Sequence, residues 1–275
     1  MNVDYGVGNM NKKLKHTHRE LKLLEILRML GGSARSAELA NALDVSEETV
    51  RRTIKVLSKS GALERMYGGA YLAGHHNVPS FFRRVAKNPD QKDSIATATI
   101  DQVRDGMTLF LDAGSTTSFV AEKLRQRLNL TVATNSIGVA QVLANHNGNH
   151  VHLLGGEMQN DERGTFGFVA EQQARRFAYD LAILSVDALS ETRGFLYQNA
   201  SEANLASVIG KSSERVLVAV DHSKFVQIAP HRGLNTDLVT EIVTDQEPPL
   251  TLRRAIDDWN IKIHLADGGE PVEQT

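Results

Sequence analysis

The run Asp112-Ala113-Gly114-Ser115-Thr116-Thr117 packs a carboxylate, a glycine and three hydroxyls into six residues. That is the composition of a loop that opens a helix and aims its free backbone N–H groups at an anion. Four further short runs share its character: Thr134-Asn135-Ser136, Gly155-Gly156-Glu157, Ser185-Val186-Asp187 and Asp221-His222-Ser223-Lys224. Together they offer hydroxyls, amides, carboxylates and one lysine, a set suited to a polyhydroxylated phosphate ester. The candidate binding residues are Asp112, Gly114, Ser115, Thr116, Thr117, Thr134, Asn135, Gly155, Gly156, Asp187 and Lys224. Singly, each run also reads as an ordinary helix cap, because Ser, Thr and Asp satisfy helix N-termini for structural reasons alone. Asp112, Asp187 and Glu202 are also the residue types that shuttle protons, with Lys224 stabilising developing negative charge.

A second set of residues suits DNA. In Val45-Ser46-Glu47-Glu48-Thr49-Val50-Arg51-Arg52-Thr53-Ile54, Ser46 caps a helix whose first turn holds two glutamates at the positive end of the dipole. Val50, Ile54 and Leu57 form one apolar stripe, leaving Thr49, Arg51, Arg52 and Lys55 on the faces turned away from it. Upstream, Leu23, Leu24, Leu27 and Leu30 line a helix expected from about Thr17 to the stop at Gly31-Gly32. A second helix, capped by Ser36 and packed through Ala37, Leu39, Ala40 and Leu43, leaves only Asp44-Val45 before the next cap. Two helices so closely joined form a helix-turn-helix, the later one lying in the major groove. After Gly61, the run 62–72 reads as a two-stranded wing that brings Arg65 and Tyr67 to the DNA backbone. The DNA-contacting candidates are Ser46, Thr49, Arg51, Arg52, Lys55, Arg65 and Tyr67.

Charge supports the assignment. Between Lys12 and Leu72 there are 12 Lys or Arg and 7 Asp or Glu, a local excess of +5 (12 − 7) in a chain of net charge −2. A basic module joined to an acidic body fits a segment that meets phosphates while the remainder stays clear of the duplex.

Beyond Asp105-Gly106 the pattern becomes strand alternating with helix. Strands are expected at Leu109–Leu111, Leu130–Ala133, Val151–Leu154, Leu181–Leu184, Arg215–Val220, Glu241–Val243 and Ile261–His264. Helical spacing lies between them, as at Val120, Ala121, Leu124 and Leu128. The fold class is thus α/β, an N-terminal winged helix-turn-helix followed by a Rossmann-like parallel sheet whose ligand lies outside the strands' carboxyl ends. The expected organisation is a flexible tail over 1–14, the DNA-binding domain over 15–73, a linker and connector helix over 74–104, the α/β domain over 105–267 and a second tail over 268–275. The connector carries Phe82, Val85, Ile95, Ala98 and Ile100 at helical intervals, interrupted at Asn88-Pro89.

Length, 275 residues, leaves room for a full core after a module of about 60 residues. The chain has no cysteine, which excludes disulfides and thiolate metal sites. His75-His76 lacks a nearby third ligand and reads as linker, so no metal and no cofactor are expected. With no run of eighteen apolar residues and a polar start over Met1–Asn11, the expectation is a cytoplasmic protein with no membrane contact.

The ordered motifs Val45–Arg52, Gly68-Gly69-Ala70, Leu111–Thr117, Thr134-Asn135-Ser136, Leu154-Gly155-Gly156 and Asp221–Phe225 resemble the DeoR family of bacterial transcriptional regulators. The resemblance spans about Lys15 to Asp245. It implies a winged helix-turn-helix joined to a sensor domain similar to ribose-phosphate isomerase, usually a repressor of sugar or nucleoside catabolism released by a phosphorylated sugar. The family commonly carries an aspartate after its paired arginines, where this chain has Thr53. Partners expected on this reading are operator DNA, a phosphorylated sugar and further copies of the chain in a homodimer or homotetramer, because operators pair half-sites. The resemblance to ribose-phosphate isomerase also raises a competing reading, that the chain is itself a sugar-phosphate isomerase; an isomerase has no use for the DNA module, and a constitutive DNA-binding scaffold has no use for the anion loop.

Overall fold

The computed structural model describes residues 17–29, 33–66, 68–72, 80–159 and 162–266. The two expected tails, the Gly31-Gly32 stop, Tyr67 and the His75-His76 pair lie outside the described residues. The chain divides into two compact units, Met1–Val78 and Pro79–Thr275.

The first unit contains α1 (His18–Met29), β1 (Ser33–Arg35), α2 (Ser36–Leu43), α3 (Glu47–Lys59), β2 (Leu63–Met66) and β3 (Gly69–Leu72). Thr17 and Glu20 open α1 reciprocally: Thr17 N–H donates to Glu20 Oε2 at 2.9 Å and Glu20 N–H to Thr17 Oγ1 at 3.3 Å. Asp44 closes α2 in the left-handed region at φ 53°, and Ser46 Oγ then accepts from Thr49 N–H at 3.3 Å to start α3. Val50, Ile54 and Leu57 of α3 are buried against Leu23, Leu24 and Leu27 of α1 and Leu39 and Ala40 of α2. Burying each such side chain contributes about 1.5–3 kcal/mol, so this one stripe holds three helices together.

Three local expectations are corrected. Ser36 is the first helical residue, buried, and its N–H donates to Gly68 O at 2.6 Å. The cap is Arg35, whose N–H meets Glu38 Oε2 at 2.8 Å. Ala37 faces outward rather than into the core. The wing is also three-stranded, in the order β1-β3-β2 and antiparallel throughout. Gly69 permits this: a Cβ there would lie 2.2 Å from Ala34 O on the neighbouring strand.

The second unit is built on a seven-stranded parallel sheet. Its strands are β4 (Thr108–Leu111), β5 (Thr131–Thr134), β6 (His150–Leu153), β9 (Leu181–Leu184), β12 (Val216–Ala219), β14 (Glu241–Thr244) and β15 (Lys262–Leu265). They lie in the order β15-β14-β12-β9-β4-β5-β6, and each overlaps an expected position, with ends displaced by no more than a residue. The central runs Leu-Ala-Ile-Leu and Val-Leu-Val-Ala are buried throughout, as sheets covered on both faces require. The helices are α4 (Ser80–Ala86), α5 (Pro89–Ile100), α6 (Ser115–Leu124), α7 (Ile137–Leu143), α8 (Phe168–Ala174), α9 (Ala200–Lys211) and α10 (Leu250–Asp258). Two small antiparallel additions went unread in the sequence: the hairpin β7 (Glu157–Gln159) with β8 (Gly164–Phe166), and β10 (Ala188–Ser190), β11 (Gly194–Tyr197) and β13 (His231–Arg232).

The described part of the expected connector forms α4 and α5, separated by Asn88 at φ 51° and Pro89 at the first helical position. Ile95, Ala96 and Ile100 are buried, and α5 packs along α6 and against β14 and β15. These helices are built into the second unit.

Candidate functional site

The first unit presents a polar face of α3. Arg51, Arg52 and Lys55 are exposed opposite the buried stripe, with Ser46 at the helix start and Thr49 half-buried. Arg51 Nη2 lies 3.0 Å from Glu47 Oε2 and Arg52 Nε 3.3 Å from Glu48 Oε1. Exposed helical pairs of this kind are worth about 0.3–0.5 kcal/mol, little enough for a phosphate to displace the glutamate. Thr53 turns inward, 8% exposed, and its Oγ1 donates to Thr49 O at 2.9 Å. A hydroxyl at this place is satisfied by its own helix. Arg65 is exposed on β2, opposite Ala70 of β3.

The second site lies in the other unit, at the carboxyl ends of its strands. Chain order runs outward in both directions from β4, through β5 to β6 on one side and through β9 to β12 on the other. Loops after β4 and β9 therefore diverge and leave a crevice, the switch point of an open α/β sheet. A cleft of about 600 Å³, counting its open mouth, occupies that place. Asp112, Gly114, Ser115, Thr116, Asn135, Asp187 and Lys224 line it, so seven of the eleven candidates converge. Phe110, Phe166, Leu184 and Leu205 form its apolar walls.

The cradle is tightly specified. Gly114 caps α6, leaving the first N–H groups of that helix without intrahelical acceptors. Asp112 fastens the cradle to the neighbouring strand end. Its Oδ1 accepts from Gly114 N–H at 3.0 Å and Thr117 Oγ1 at 2.6 Å; its Oδ2 accepts from Ser185 N–H at 2.6 Å and Ser185 Oγ at 2.8 Å. A side chain at position 114 would collide with this joint, its Cβ 2.0 Å from Ser185 Oγ.

Four candidates do not line the cleft. Thr117 is fully buried and its hydroxyl is spent on Asp112 and Gly114 O. Thr134 is fully buried too, donating to Leu111 O at 2.7 Å and accepting from Ser136 N–H at 3.0 Å. Gly155 donates its N–H to Gln173 Oε1 at 2.6 Å. Gly156 adopts φ 140° where a Cβ would stand 2.5 Å from Phe166 O. In the three with bonds the polar group is engaged within the protein, and Gly156 provides a close backbone approach.

The structure adds Arg84, Ser185, Tyr197 and Glu202 to the lining. Ser185 stood in a run already suspected, and Glu202 entered as a possible proton carrier. Arg84 and Tyr197 had no signal: one lies on a helix upstream of the sheet, the other on a short antiparallel strand. Tyr197 Oη is buried with no hydrogen-bond partner among the described residues, as is Asn135 Oδ1. Buried polar atoms normally have partners, and two such atoms in one cleft mark a place prepared for a polar ligand.

The electrostatics are dominated by carboxylates. Burial, with Glu162 and Asp187 nearby, pushes the Glu202 carboxyl up to about 9 against the opposing pull of Arg84. Burial also raises Asp112, although its four hydrogen bonds oppose the shift. Burial and the surrounding carboxylates hold the Tyr197 phenol well above its ordinary value. For Lys224, burial lowers the pKa against the attraction of Asp187 and Asp221. Arg84 is destabilised as a cation by burial, but its bond to Glu162 and the charges of Asp187 and Glu202 outweigh this and raise its pKa. Among the described residues no group of three or more His, Cys, Asp or Glu is placed to hold a metal ion.

The comparisons agree with both units. The DeoR-like helix-turn-helix domain matches residues 19–75, and the DeoR C-terminal sensor domain matches residues 87–246. The HTH-type transcriptional repressor CsqR of Escherichia coli (strain K12) is 33% identical over 228 residues, covering 83% of this chain and 87% of the relative. The glycerol-3-phosphate regulon repressor of the same organism is 28% identical over 252 residues, covering 92% and 100%. Ribose 5-phosphate isomerase A from Methanocaldococcus jannaschii is similar over 51% of this chain and 56% of that one, at 19% identity and a TM-score of 0.38. With curated repressors matched across both units, the isomerase reading gives way, and the chain belongs to the DeoR family of transcriptional regulators.

Proposed function

We propose that this protein represses genes of carbohydrate catabolism in the bacterial cytoplasm, sitting on the nucleoid while bound to operator and released by a phosphorylated sugar. Relatives named as repressors of the glycerol-3-phosphate regulon and, putatively, of the aga operon support the carbohydrate connection. On the DNA side, Arg51, Arg52 and Lys55 contact operator phosphates and base edges, with Ser46 and Thr49 at the groove. Arg65 and Tyr67 of the wing touch the backbone. Paired half-sites call for a homodimer or homotetramer.

On the ligand side, one observation carries the reading: an anion cradle at the start of α6 shares a cleft with a lysine and two buried polar atoms that have no hydrogen-bond partner among the described residues. The phosphate lies on Ser115 and Thr116, and the polyol is addressed by Asp112, Asn135, Asp187 and Lys224. Asn135 Oδ1 calls for a donor, which a sugar hydroxyl supplies and a fully ionised phosphate does not. Asp112 acts mainly by fastening the cradle.

The test begins with an operator duplex selected from a random library by the full-length chain. A panel of triose, pentose and hexose monophosphates is then screened for thermal stabilisation and for release of that duplex. Thr116→Val is expected to bind the duplex as the parent does and to lose the response, since a methyl replaces a hydroxyl in the cradle. A normal response in this variant places the ligand elsewhere.

A further inference from the structure

Arg84 stands apart from the other residues of the cleft because of the helix that carries it. It lies on α4, the first described element after the wing strand β3, with residues 73–79 joining the two in sequence. Its side chain lines the cleft, yet its guanidinium is held in a two-pronged ion pair: Nη1 lies 3.3 Å from Glu162 Oε1, and Nη2 meets Glu162 Oε2. Glu162 is 7% exposed and leads into β8, across from α4. A buried carboxylate so placed is strongly committed to its cation.

The carboxyl end of α4, where Arg84 itself lies, is anchored. Lys92, 2% exposed, donates from Nζ to Arg84 O and, at 2.5 Å, to Lys87 O, covering carbonyls at the carboxyl end of the helix. Asn88 Nδ2 donates at 3.0 Å to Asp221 Oδ1, in the same loop that brings Lys224 to the cleft. The carboxyl end of α4 is thus tied to the ligand loops. The arginine near that end pairs with Glu162 and lines the cleft beside the start of α6.

We propose that Arg84 is the residue through which bound ligand acts on the chain leading to the DNA-binding unit: Glu162 holds it in the ligand-free state, and the ligand's anionic group competes for it. Two arrangements of α4 follow, one with Arg84 on Glu162 and one with Arg84 on the ligand. A ligand shifts such an equilibrium only by binding one arrangement better. This inference rests on the sensor reading above and adds its route to the operator.

The experiment uses the full-length chain, the selected duplex and the tightest binder among the sugar monophosphates. Glu162→Gln removes the competitor, so it should tighten the ligand several-fold. In the absence of ligand, it should also shift operator affinity in the direction that ligand shifts the parent. Arg84→Gln should weaken the ligand roughly tenfold or more, the loss of a charge-assisted hydrogen bond. It should leave operator affinity indifferent to ligand at concentrations that saturate the variant. Arg84→Lys, which keeps the charge but not the fork, should retain part of the response, and thermal unfolding of each variant confirms that it is folded. A purely structural ion pair predicts instead that all three variants lose stability while ligand-to-operator coupling stays at the parental value, and that result overturns the proposal. If the parent binds no member of the panel, the sensor reading fails first and this inference with it; a responsive parent with equally responsive variants defeats this inference alone.

Discussion

Tyr197→Phe separates the two demands placed on the cleft. The phenol oxygen is buried with no partner among the described residues, while the ring is well packed: Gly233 leaves it space, a Cβ there falling 2.4 Å from Tyr197 Cε2. Leaving a buried donor unsatisfied costs about 1–3 kcal/mol. Removing the oxygen and keeping the ring should therefore stabilise the ligand-free protein by about 1 kcal/mol, after allowance for the small void. In a unit of this size, that raises the melting temperature by about 2–4 °C. The ligand complex should move the other way. If the hydroxyl bonds to the sugar, its loss costs about 0.5–1.5 kcal/mol, a weakening of roughly 2- to 13-fold. Urea unfolding followed through Trp259, which packs against Phe195 at 6.1 Å between ring centres, reads the stability of this unit. Calorimetric titration with the tightest sugar monophosphate reads the affinity. A variant that is less stable without ligand, or binds it as tightly as the parent, refutes the reasoning.

Three further substitutions test other parts of the molecule. Arg51→Ala, on the exposed face of α3, should leave the fold intact and flatten the log–log salt dependence of operator binding by about 0.9 per lost phosphate contact; an unchanged slope removes this residue from the interface. Glu202 holds its proton up to about pH 9 in the folded chain, against an ordinary carboxylate value near 4.5. The folded state thus binds more protons than the unfolded one across that window, and stability falls as pH rises through it. Glu202→Gln should weaken that dependence, so urea midpoints measured at about pH 6 and about pH 8.5 should differ less in the variant than in the parent; an equal drop assigns the effect to another group. Gly114→Ala places a Cβ 2.0 Å from Ser185 Oγ and must part the joint at Asp112. It should lower ligand affinity and thermal stability together, whereas a variant with parental affinity shows that the joint does not shape the cradle.

Much of this architecture is legible in one dimension because its causes are local. The i, i+4, i+7 stripe of Val50, Ile54 and Leu57 determines which side of α3 is buried, and hence that Arg51, Arg52 and Lys55 face out. Seven apolar runs separated by helical spacing are enough to locate seven parallel strands, since a strand buried on both faces has few other compositions. Glycine, hydroxyl and aspartate at the start of α6 mark the cradle for the same reason: a helix start needs those residue types and so does an anion.

Tertiary structure alone decided which of those groups line the cleft. Thr117 and Thr134 are the same residue type as Thr116, yet their hydroxyls are consumed inside the fold: Thr117 by Asp112 in its own loop, and Thr134 by Leu111 O on the neighbouring strand. Arg84 and Tyr197 come from a helix before the sheet and a strand beside it, at sequence distances that periodicity does not span. Helical and strand periods report which face of an element meets the core. They carry no information on which distant loops share a crevice, and that was settled by the strand order around β4.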